Sequence, residues 1–270
     1  VPGDAVPYLV ERSPRATYVA MIDWDRYDTE QLPPCDGTSI NAVRVVFPHG
    51  KHREGIAVAK KIREKGYQVF LQAANTMAYS NADLEELVAE VNAFSPVALS
   101  VVDTFGAMYA EDLERIVSVM DAKLDKAVGL GFHSHNNQQL SFALTIRFID
   151  LLETSGRTVM VDASLCGMGR GAGNATTELV ASYLNRKKHG NYDLDAILDA
   201  IDTYMEPFQQ AYTWGYSTPY FVAGLYQCHV NNIAYLQRNH RANARDMRNI
   251  IASLSQAERR KYDYDLLEQR

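Results

Sequence analysis

Two histidines stand one residue apart near the middle of the chain, at the end of the apolar run "VGLGFHSH". Residues two apart on a β-strand point to the same face, so His133 and His135 would present both imidazoles to one point. Two imidazoles that meet in this way are suited to bind one metal ion. A pair of hydrogen-bonded core histidines is the alternative, because a buried ring needs either a metal or a polar partner.

A glycine-rich stretch, "DASLCGMGRGAGN" at residues 162–174, could form a second part of the same site. Glycine adopts backbone conformations closed to other residues and lets a ligand approach the main chain closely. Asn174, at the end of the stretch, would then reach inward as an oxygen donor. The alternative is a dinucleotide site, because "GMGRGA" fits a loose G-x-G-x-x-A fingerprint and a helix start suits a phosphate. That fingerprint belongs to the first strand of a nucleotide-binding unit, whereas here it follows the last of six strands.

The elements that must position these residues alternate between strand and helix patterns. Helical patterns such as "HREGIAVAKKIREKG" and "SNADLEELVAEVNAF" separate the β-rich runs. Each repeat of about 25 to 30 residues has the size of a βαβ unit, which predicts a parallel sheet with helices outside. We predict a barrel domain over residues 1–190 and a helical extension packed on it over residues 191–270. The six β-rich runs span residues 17–23, 42–47, 68–76, 98–104, 128–135 and 158–164.

Polar residues close several of these strands. Parallel strands collect chemistry at their carboxyl ends, because the loops there converge on one mouth. Asn75 closes the third run and Asp103 the fourth, and both are candidate substrate-binding residues. Arg44, inside the second run, could bind a substrate carboxylate through two hydrogen bonds. Pairing of Arg44 with Asp23 or Asp103 is the alternative, and helix capping is the alternative for polar residues at strand ends.

The composition limits the class of protein. A chain of 270 residues with 47% hydrophobic and 22% charged residues predicts a soluble globular protein with a sizeable core. A net charge of -6 leaves no basic stripe for nucleic acid, so we expect no such partner. The apolar runs fall short of the roughly 18 residues that cross a bilayer, and no signal peptide pattern opens the chain. We therefore predict no membrane association and a cytoplasmic location. The three widely spaced cysteines predict free thiols.

Three stretches together, "VVDTFGAM", "GFHSHNN" and "VDASLCGMGRGAGN", resemble a family of metal-dependent aldolase and lyase barrels. This family includes 4-hydroxy-2-oxovalerate aldolase, hydroxymethylglutaryl-CoA lyase and isopropylmalate synthase, and the resemblance spans residues 18–184. It is strongest to bacterial proteins described as aldolase catalytic-domain proteins. The resemblance implies an α/β fold of the (β/α)8 TIM-barrel type, in which His133 and His135 bind a divalent metal. It also implies that Thr104 lies against the substrate and that Asn174 approaches the metal.

The activity that this resemblance implies is that of a carbon–carbon lyase of the aldolase type. A 2-oxo acid would chelate the metal, and the ion would act as a Lewis acid that stabilises the enolate formed when the bond breaks. Mn2+ or Mg2+ is favoured, with Zn2+ as the alternative. An enzyme that condenses an acyl-CoA with a 2-oxo acid is a second hypothesis, and a catalytically inert fragment is a third. Tyr212, Tyr216 or Tyr220 could supply a general acid or could simply pack, so the catalytic residue stays unassigned.

Two features depart from the family pattern. Family members begin with a strand that carries an Asp-Arg signature, whose aspartate is the third metal ligand, and no counterpart stands in this sequence. The predicted strands number six instead of eight, so we expect the first two strand and helix units to precede Val1. Strand edges left open beside residues 17–23 and 158–164 would invite pairing with another chain. We therefore expect a homo-oligomer or poor solubility, unless the missing segment is present in the intact protein.

Overall fold

The computed structural model describes Asp4 and residues 12–270. The chain divides into two compact units. The first comprises Val1–Val102, Glu114–Phe132 and Leu151–Met160, and the second comprises Asp103–Leu113, His133–Asp150 and Val161–Arg270. The second unit thus holds the residues that close the fourth and fifth strands, together with the whole glycine-rich stretch. The predicted division of the chain at residue 190 stays a prediction.

Six strands form one parallel sheet in the order of the sequence, which confirms the six predicted strands. A strand order without reversal is typical of a (β/α)8-type sheet, whereas doubly wound nucleotide-binding folds reverse the order at a switch point. The strands are β1 (Val19–Asp23), β2 (Ala42–Phe47), β3 (Gln68–Ala73), β4 (Ala98–Asp103), β5 (Gly129–Ser134) and β6 (Val159–Val161).

The inner strands are nearly continuous apolar runs. Helices pack on a parallel sheet and bury its strands, so few of their positions face water. β4 is buried at all of its positions, and β3 at all but its first. β1 lies at the edge of the sheet with alternating exposure, and the side chain of Met21 is 65% exposed. β6 is shorter than predicted, because the chain leaves the sheet at Asp162 to enter the glycine-rich loop.

Helices follow the strands as the sequence pattern predicts. α2 shows how their starts are encoded: the Ser80 side chain accepts the Asp83 amide hydrogen, and the Asp83 carboxylate accepts from the Ser80 amide. This reciprocal capping satisfies two amides that the first helical turn leaves without partners. The helices of the alternating region are α1 (His52–Glu64), α2 (Asn81–Phe94), α3 (Ala110–Lys123), α4 (Ser141–Leu151) and α5 (Thr177–Lys187).

The chain after residue 191 is helical, as predicted. α8, α9, α10 and α12 enclose a hydrophobic core of their own, which includes Val222, Ile233 and Met247. No helix in the described part of the chain is both long enough and apolar enough to cross a bilayer. The helices are α6 (Leu194–Ala200), α7 (Glu206–Ala211), α8 (Thr218–Leu225), α9 (Val230–His240), α10 (Ala244–Ser253), α11 (Gln256–Arg259) and α12 (Tyr264–Leu267), with a π-helix (Ile201–Met205) between α6 and α7.

Candidate metal centre

The two predicted histidines lie side by side. His133 is the fifth residue of β5, and His135 follows directly after that strand. Their ring centroids are 5.0 Å apart and the rings meet edge to face, at 85°. His135 also forms an isolated antiparallel bridge with Asn174, which brings the end of the glycine-rich loop against the histidine pair. The three residues that the sequence predicts as metal ligands thus lie next to one another in the structure.

Each ring is held through its Nδ1 atom. His133 Nδ1 lies 3.0 Å from Asp162 Oδ2, and His135 Nδ1 lies 3.1 Å from the carbonyl oxygen of Asp103. A carboxylate and a carbonyl oxygen accept hydrogen bonds, so the ring proton of each neutral histidine is assigned to Nδ1. The lone pair of each ring is then on Nε2. Metal-binding histidines characteristically have this arrangement, with the other nitrogen donating to a carboxylate or a backbone carbonyl.

The electrostatics around His135 favour a neutral ring. Loss of hydration lowers the pKa of His135 to about 4, and the neighbouring His133 lowers it as well, while the hydrogen bond to Asp103 acts in the opposite direction. His135 is therefore uncharged near pH 7. A neutral imidazole is the form that donates a lone pair to a metal ion.

Asp103 positions its surroundings with both its carbonyl and its carboxylate. The buried carboxylate accepts the amide hydrogens of Ala107, at 2.9 Å, and Met108, at 3.1 Å. Burial raises the pKa of Asp103 to about 6, although these two hydrogen bonds lower it. The carbonyl oxygen holds His135. These contacts tie the loop after β4 to the histidine pair, while substrate binding by Asp103 stays a prediction.

Asn174 presents an oxygen atom that the protein leaves unused. Its Nδ2 donates to the carbonyl of Met168 at 2.8 Å, and its main-chain amide donates to the carbonyl of Gly167 at 2.9 Å. Its Oδ1 is buried and has no hydrogen-bond partner among the described residues. A buried amide oxygen without a partner is costly, because it has lost its hydration and gained nothing in exchange.

These donors fit a divalent metal ion. His133 and His135 offer two imidazole nitrogens, and Asn174 offers an amide oxygen that lacks a partner. Imidazole and amide donors of this kind suit divalent ions of the first-row transition metals. No group of three histidine, cysteine, aspartate or glutamate side chains within residues 12–270 is arranged to hold a metal. The candidate centre therefore consists of two rings and one amide in the described part of the chain.

The conformation of the glycine-rich loop depends on Gly173. This residue has a φ of +86°, and a Cβ atom added there would lie 2.0 Å from the carbonyl oxygen of Gly167. Gly167 itself has a positive φ of 63°. The close approach of the two glycines therefore shapes the turn that leads to Asn174.

Gly173→Ala is expected to weaken Mn2+ binding by about 10-fold or more, because the backbone must move and Asn174 moves with it. The matched control is Gly156→Ala, since Gly156 has a similar φ of +70° but open space around the added Cβ. That control carries the left-handed backbone cost of about 1–2 kcal/mol without the steric clash, and its Mn2+ affinity should equal that of the wild type. Calorimetric titration of both variants tests this prediction, and equal affinities would contradict it.

Asn137 is a residue of this region that the sequence did not single out. It is buried, its Nδ2 donates to the carbonyl of Phe105 at 3.0 Å, and its Oδ1 accepts the amide hydrogen of Ala172 at 3.0 Å. One side chain thus joins the loops that follow β4, β5 and β6. Its position just after the histidine pair was a signal, but its partners are main-chain atoms that no sequence pattern reveals.

A small cavity of about 80 Å³ adjoins His135. Thr104 lines it, while its contact with substrate stays a prediction. Arg170 and His229, which the sequence analysis did not propose as site residues, line it too. Arg170 belongs to the glycine-rich loop, whereas His229 caps α9 by accepting the Asn231 amide hydrogen on Nδ1. The remaining lining residues are Phe105, Asn137 and Val230.

The other predicted substrate-binding residues, Arg44 and Asn75, belong to the first compact unit. Arg44 occupies the centre of β2, and Asn75 has a left-handed φ of 52° just before the 3-10 helix Thr76–Ala78. The histidine pair, by contrast, belongs to the second unit. Among the candidate general acids, Tyr212 and Tyr216 are each 60% exposed. Tyr220 packs against the core of the C-terminal helices.

A parallel sheet of this strand order, with a histidine pair and a glycine-rich loop at its strand ends, defines a barrel-type protein with a candidate metal centre. The family model described as HMGL-like matches residues 49–203, which is more than half of the sequence. The chain belongs to the HMGL-like family. This confirms the resemblance that the three motifs indicated.

The chain is similar to two curated proteins and to one solved structure of this kind. A 4-hydroxy-2-oxovalerate aldolase from Thermomicrobium roseum is 31% identical over 156 residues, which cover 54% of this chain and 42% of that protein. An oxaloacetate decarboxylase from Mycobacterium tuberculosis is 31% identical over 142 residues, which cover 52% of this chain and 40% of that protein. The aligned part thus spans about two-fifths of each relative. The N-terminal domain of a Bacteroides vulgatus protein described as a candidate aldolase matches 84% of this chain and 75% of its own, with 25% identity and a TM-score of 0.72. This similarity confirms the predicted fold class.

Proposed function

We propose that the protein is a divalent-metal-dependent carbon–carbon lyase of the aldolase type that acts on a 2-oxo acid. The observation that carries the proposal is the pair of rings 5.0 Å apart, His133 and His135, each held at Nδ1 so that both Nε2 lone pairs remain as donors. A bound divalent ion supplies positive charge, which stabilises the enolate of an oxo acid when the neighbouring carbon–carbon bond breaks. The names of the curated relatives support the same class of reaction.

The described residues would divide the work between binding the ion and binding the substrate. His133, His135 and Asn174 would hold the ion through two nitrogens and one oxygen. The hydroxyl group of Thr104, in the cavity beside His135, would donate a hydrogen bond to the oxo acid. Asp103 is proposed to bind the substrate as well, and Arg44 and Asn75, which belong to the first compact unit, stay predicted substrate-binding residues.

The donor types favour Mn2+ or Mg2+ and leave Zn2+ as the alternative. Mg2+ prefers oxygen donors and keeps water ligands, whereas imidazole nitrogen also suits Mn2+ and Zn2+. A mixed set of two imidazoles and one amide oxygen, with further positions for substrate oxygens, is best matched by Mn2+. Mn2+ is therefore the appropriate probe ion for this site.

A second candidate reaction is the decarboxylation of a 2-oxo dicarboxylic acid such as oxaloacetate. The relative from Mycobacterium tuberculosis favours it. Loss of carbon dioxide leaves the same enolate charge as an aldol cleavage, so one site could serve either reaction. Acyl-CoA condensation and an inert scaffold stay as the other hypotheses.

Two further parts of the proposal concern the surroundings of the protein. The small-molecule oxo acid is the expected partner, in the cytoplasm. A homo-oligomer is also proposed, because β1 is the edge strand of the sheet within the described residues and exposes Val19 and Met21. An unpaired strand edge offers main-chain groups to another chain.

Pyruvate release with Mn2+ tests the proposed function. The full chain is incubated with 4-hydroxy-2-oxovalerate or with oxaloacetate, and pyruvate is measured by its reduction with NADH and lactate dehydrogenase. We expect release that stops with EDTA and returns with added Mn2+. His135→Ala at the same Mn2+ concentration corrects for metal-catalysed reaction in solution. Rates that are the same for the wild type and this variant, with both substrates, would contradict the proposal.

A further inference from the structure

The carboxylate of Asp162 lies against one of the two histidines. Asp162 follows β6 directly, and its Oδ2 is 3.0 Å from Nδ1 of His133 in the neighbouring strand β5. The two side chains are 23% and 22% exposed, so the contact is largely shielded from water. A hydrogen bond between an imidazole N–H and a carboxylate is charge-assisted and roughly twice as strong as one between neutral groups.

The two rings are held by different kinds of partner. The acceptor for His135 is a main-chain carbonyl, that of Asp103, which is present whatever side chain stands there. The acceptor for His133 is a side chain, so it depends on the residue type at position 162. A carboxylate also donates electron density through the ring and makes Nε2 a stronger ligand, which a neutral carbonyl does to a smaller degree.

The negative charge of the Asp162 carboxylate also bears on the metal centre. The predicted metal donors of the described chain, His133, His135 and Asn174, are imidazole nitrogens and an amide oxygen, which carry no negative charge. The carboxylate of Asp103 is already engaged by the amides of Ala107 and Met108. Asp162 therefore supplies negative charge that reaches the proposed ion through His133.

We propose that Asp162 is a positioning residue of the metal centre, which orients His133 through Nδ1 and raises the affinity of its Nε2 for the ion. This inference rests on the proposed function, because it requires that the histidine pair binds a metal. It goes beyond the ligand set by assigning a residue that touches neither the ion nor the substrate. Loss of such a partner typically lowers metal affinity by about 10- to 100-fold.

Calorimetric titration of the metal-stripped full chain with Mn2+ tests the inference, using Asp162→Asn and Asp162→Ala. Asp162→Ala removes both the acceptor and the charge, and we expect an affinity about 10- to 100-fold lower. Asp162→Asn is isosteric and keeps an acceptor oxygen but not the charge, so its affinity should lie between those of the wild type and Asp162→Ala. The matched control is Asp150→Asn in the same unit, since the Asp150 carboxylate bonds Tyr183 and Lys188 instead. That variant should bind Mn2+ like the wild type.

Two further readouts separate positioning from a structural role. Thermal unfolding of the metal-free protein should differ little between the wild type and Asp162→Asn, and this isosteric variant decides the question if Asp162→Ala does not fold. At saturating Co2+, the visible spectrum of Asp162→Asn should differ from that of the wild type, because the ligand strength of His133 has changed. Asp150→Asn should reproduce the wild-type spectrum.

The outcomes distinguish this inference from the proposed function. Mn2+ binding by the wild type with unchanged affinity and spectra in both Asp162 variants would overturn the role of Asp162 and leave the proposed function standing. Absence of Mn2+ binding in the wild type would overturn the proposed function and the inference with it. Weakened binding in the order wild type, Asp162→Asn, Asp162→Ala supports both.

Discussion

Arg157→Met is expected to lower the free energy of unfolding by about 3–5 kcal/mol, the range for breaking a buried ionic network. The Arg157 side chain is 0% exposed, and its Nε donates to the Asp121 carboxylate at 2.6 Å. Its two terminal nitrogens donate to four main-chain carbonyls, those of Asp121, Leu124, Asp125 and Val128. Methionine has a similar length but offers no donor to any of these oxygens.

The position of these carbonyls explains the size of the effect. They belong to the last turn of α3 and to the segment that leads into β5, where a helix leaves its final carbonyl groups without partners. The guanidinium satisfies them and also places positive charge at the negative end of the helix dipole. Loss of Arg157 would therefore leave several buried acceptors unsatisfied at once.

Two variants make the test of Arg157 sharp. Arg186→Met removes an exposed arginine from the last turn of α5 and should change stability by less than about 0.5 kcal/mol. Arg157→Lys keeps the charge but offers fewer donors, so its stability should lie between those of the wild type and Arg157→Met. Urea unfolding measures all three. A loss below about 1 kcal/mol for Arg157→Met would show that water replaces the guanidinium without cost.

The sequence predicted the strands well because parallel strands have simple requirements. A strand buried on both faces must be a short apolar run, and β2 spans the same residues, Ala42–Phe47, in prediction and in structure. The prediction for β6 was too long by one residue at its start and three at its end. Alternate positions remain apolar almost to the end of the predicted strand. The point at which the chain leaves the sheet depends instead on the tertiary contacts of the glycine-rich loop.

The histidine pair could be found from sequence because its geometry is local. Two residues on one strand share a face whatever the rest of the fold does, so the spacing of His133 and His135 was sufficient. Asp162 and Asn137 could not be assigned in the same way, because their contacts join loops that are distant in the chain. Arg157 is a similar case, since an arginine between a helix and a strand is expected to be exposed.

His135→Ala is expected to weaken Mn2+ binding by more than about 100-fold. Loss of a residue that merely supports a ligand costs about 10- to 100-fold, and removal of the ligand itself must cost more. His240→Ala is the matched control, because His240 lies in the same unit and pairs with Glu268 at 2.7 Å. The measurement is calorimetric titration of metal-stripped protein, with thermal unfolding as the check on folding.

The double variant of His133 and His135 decides whether the two rings act on one ion or are hydrogen-bonded core residues. If both bind the same ion, either single replacement already leaves one imidazole and one amide oxygen, and the second replacement weakens binding much less than the first. Such non-additivity is expected of residues that share one partner. Additive losses would indicate separate sites. Unchanged Mn2+ affinity in all three variants would show that the two histidines are core residues hydrogen-bonded to Asp162 and Asp103, and that they do not bind the metal.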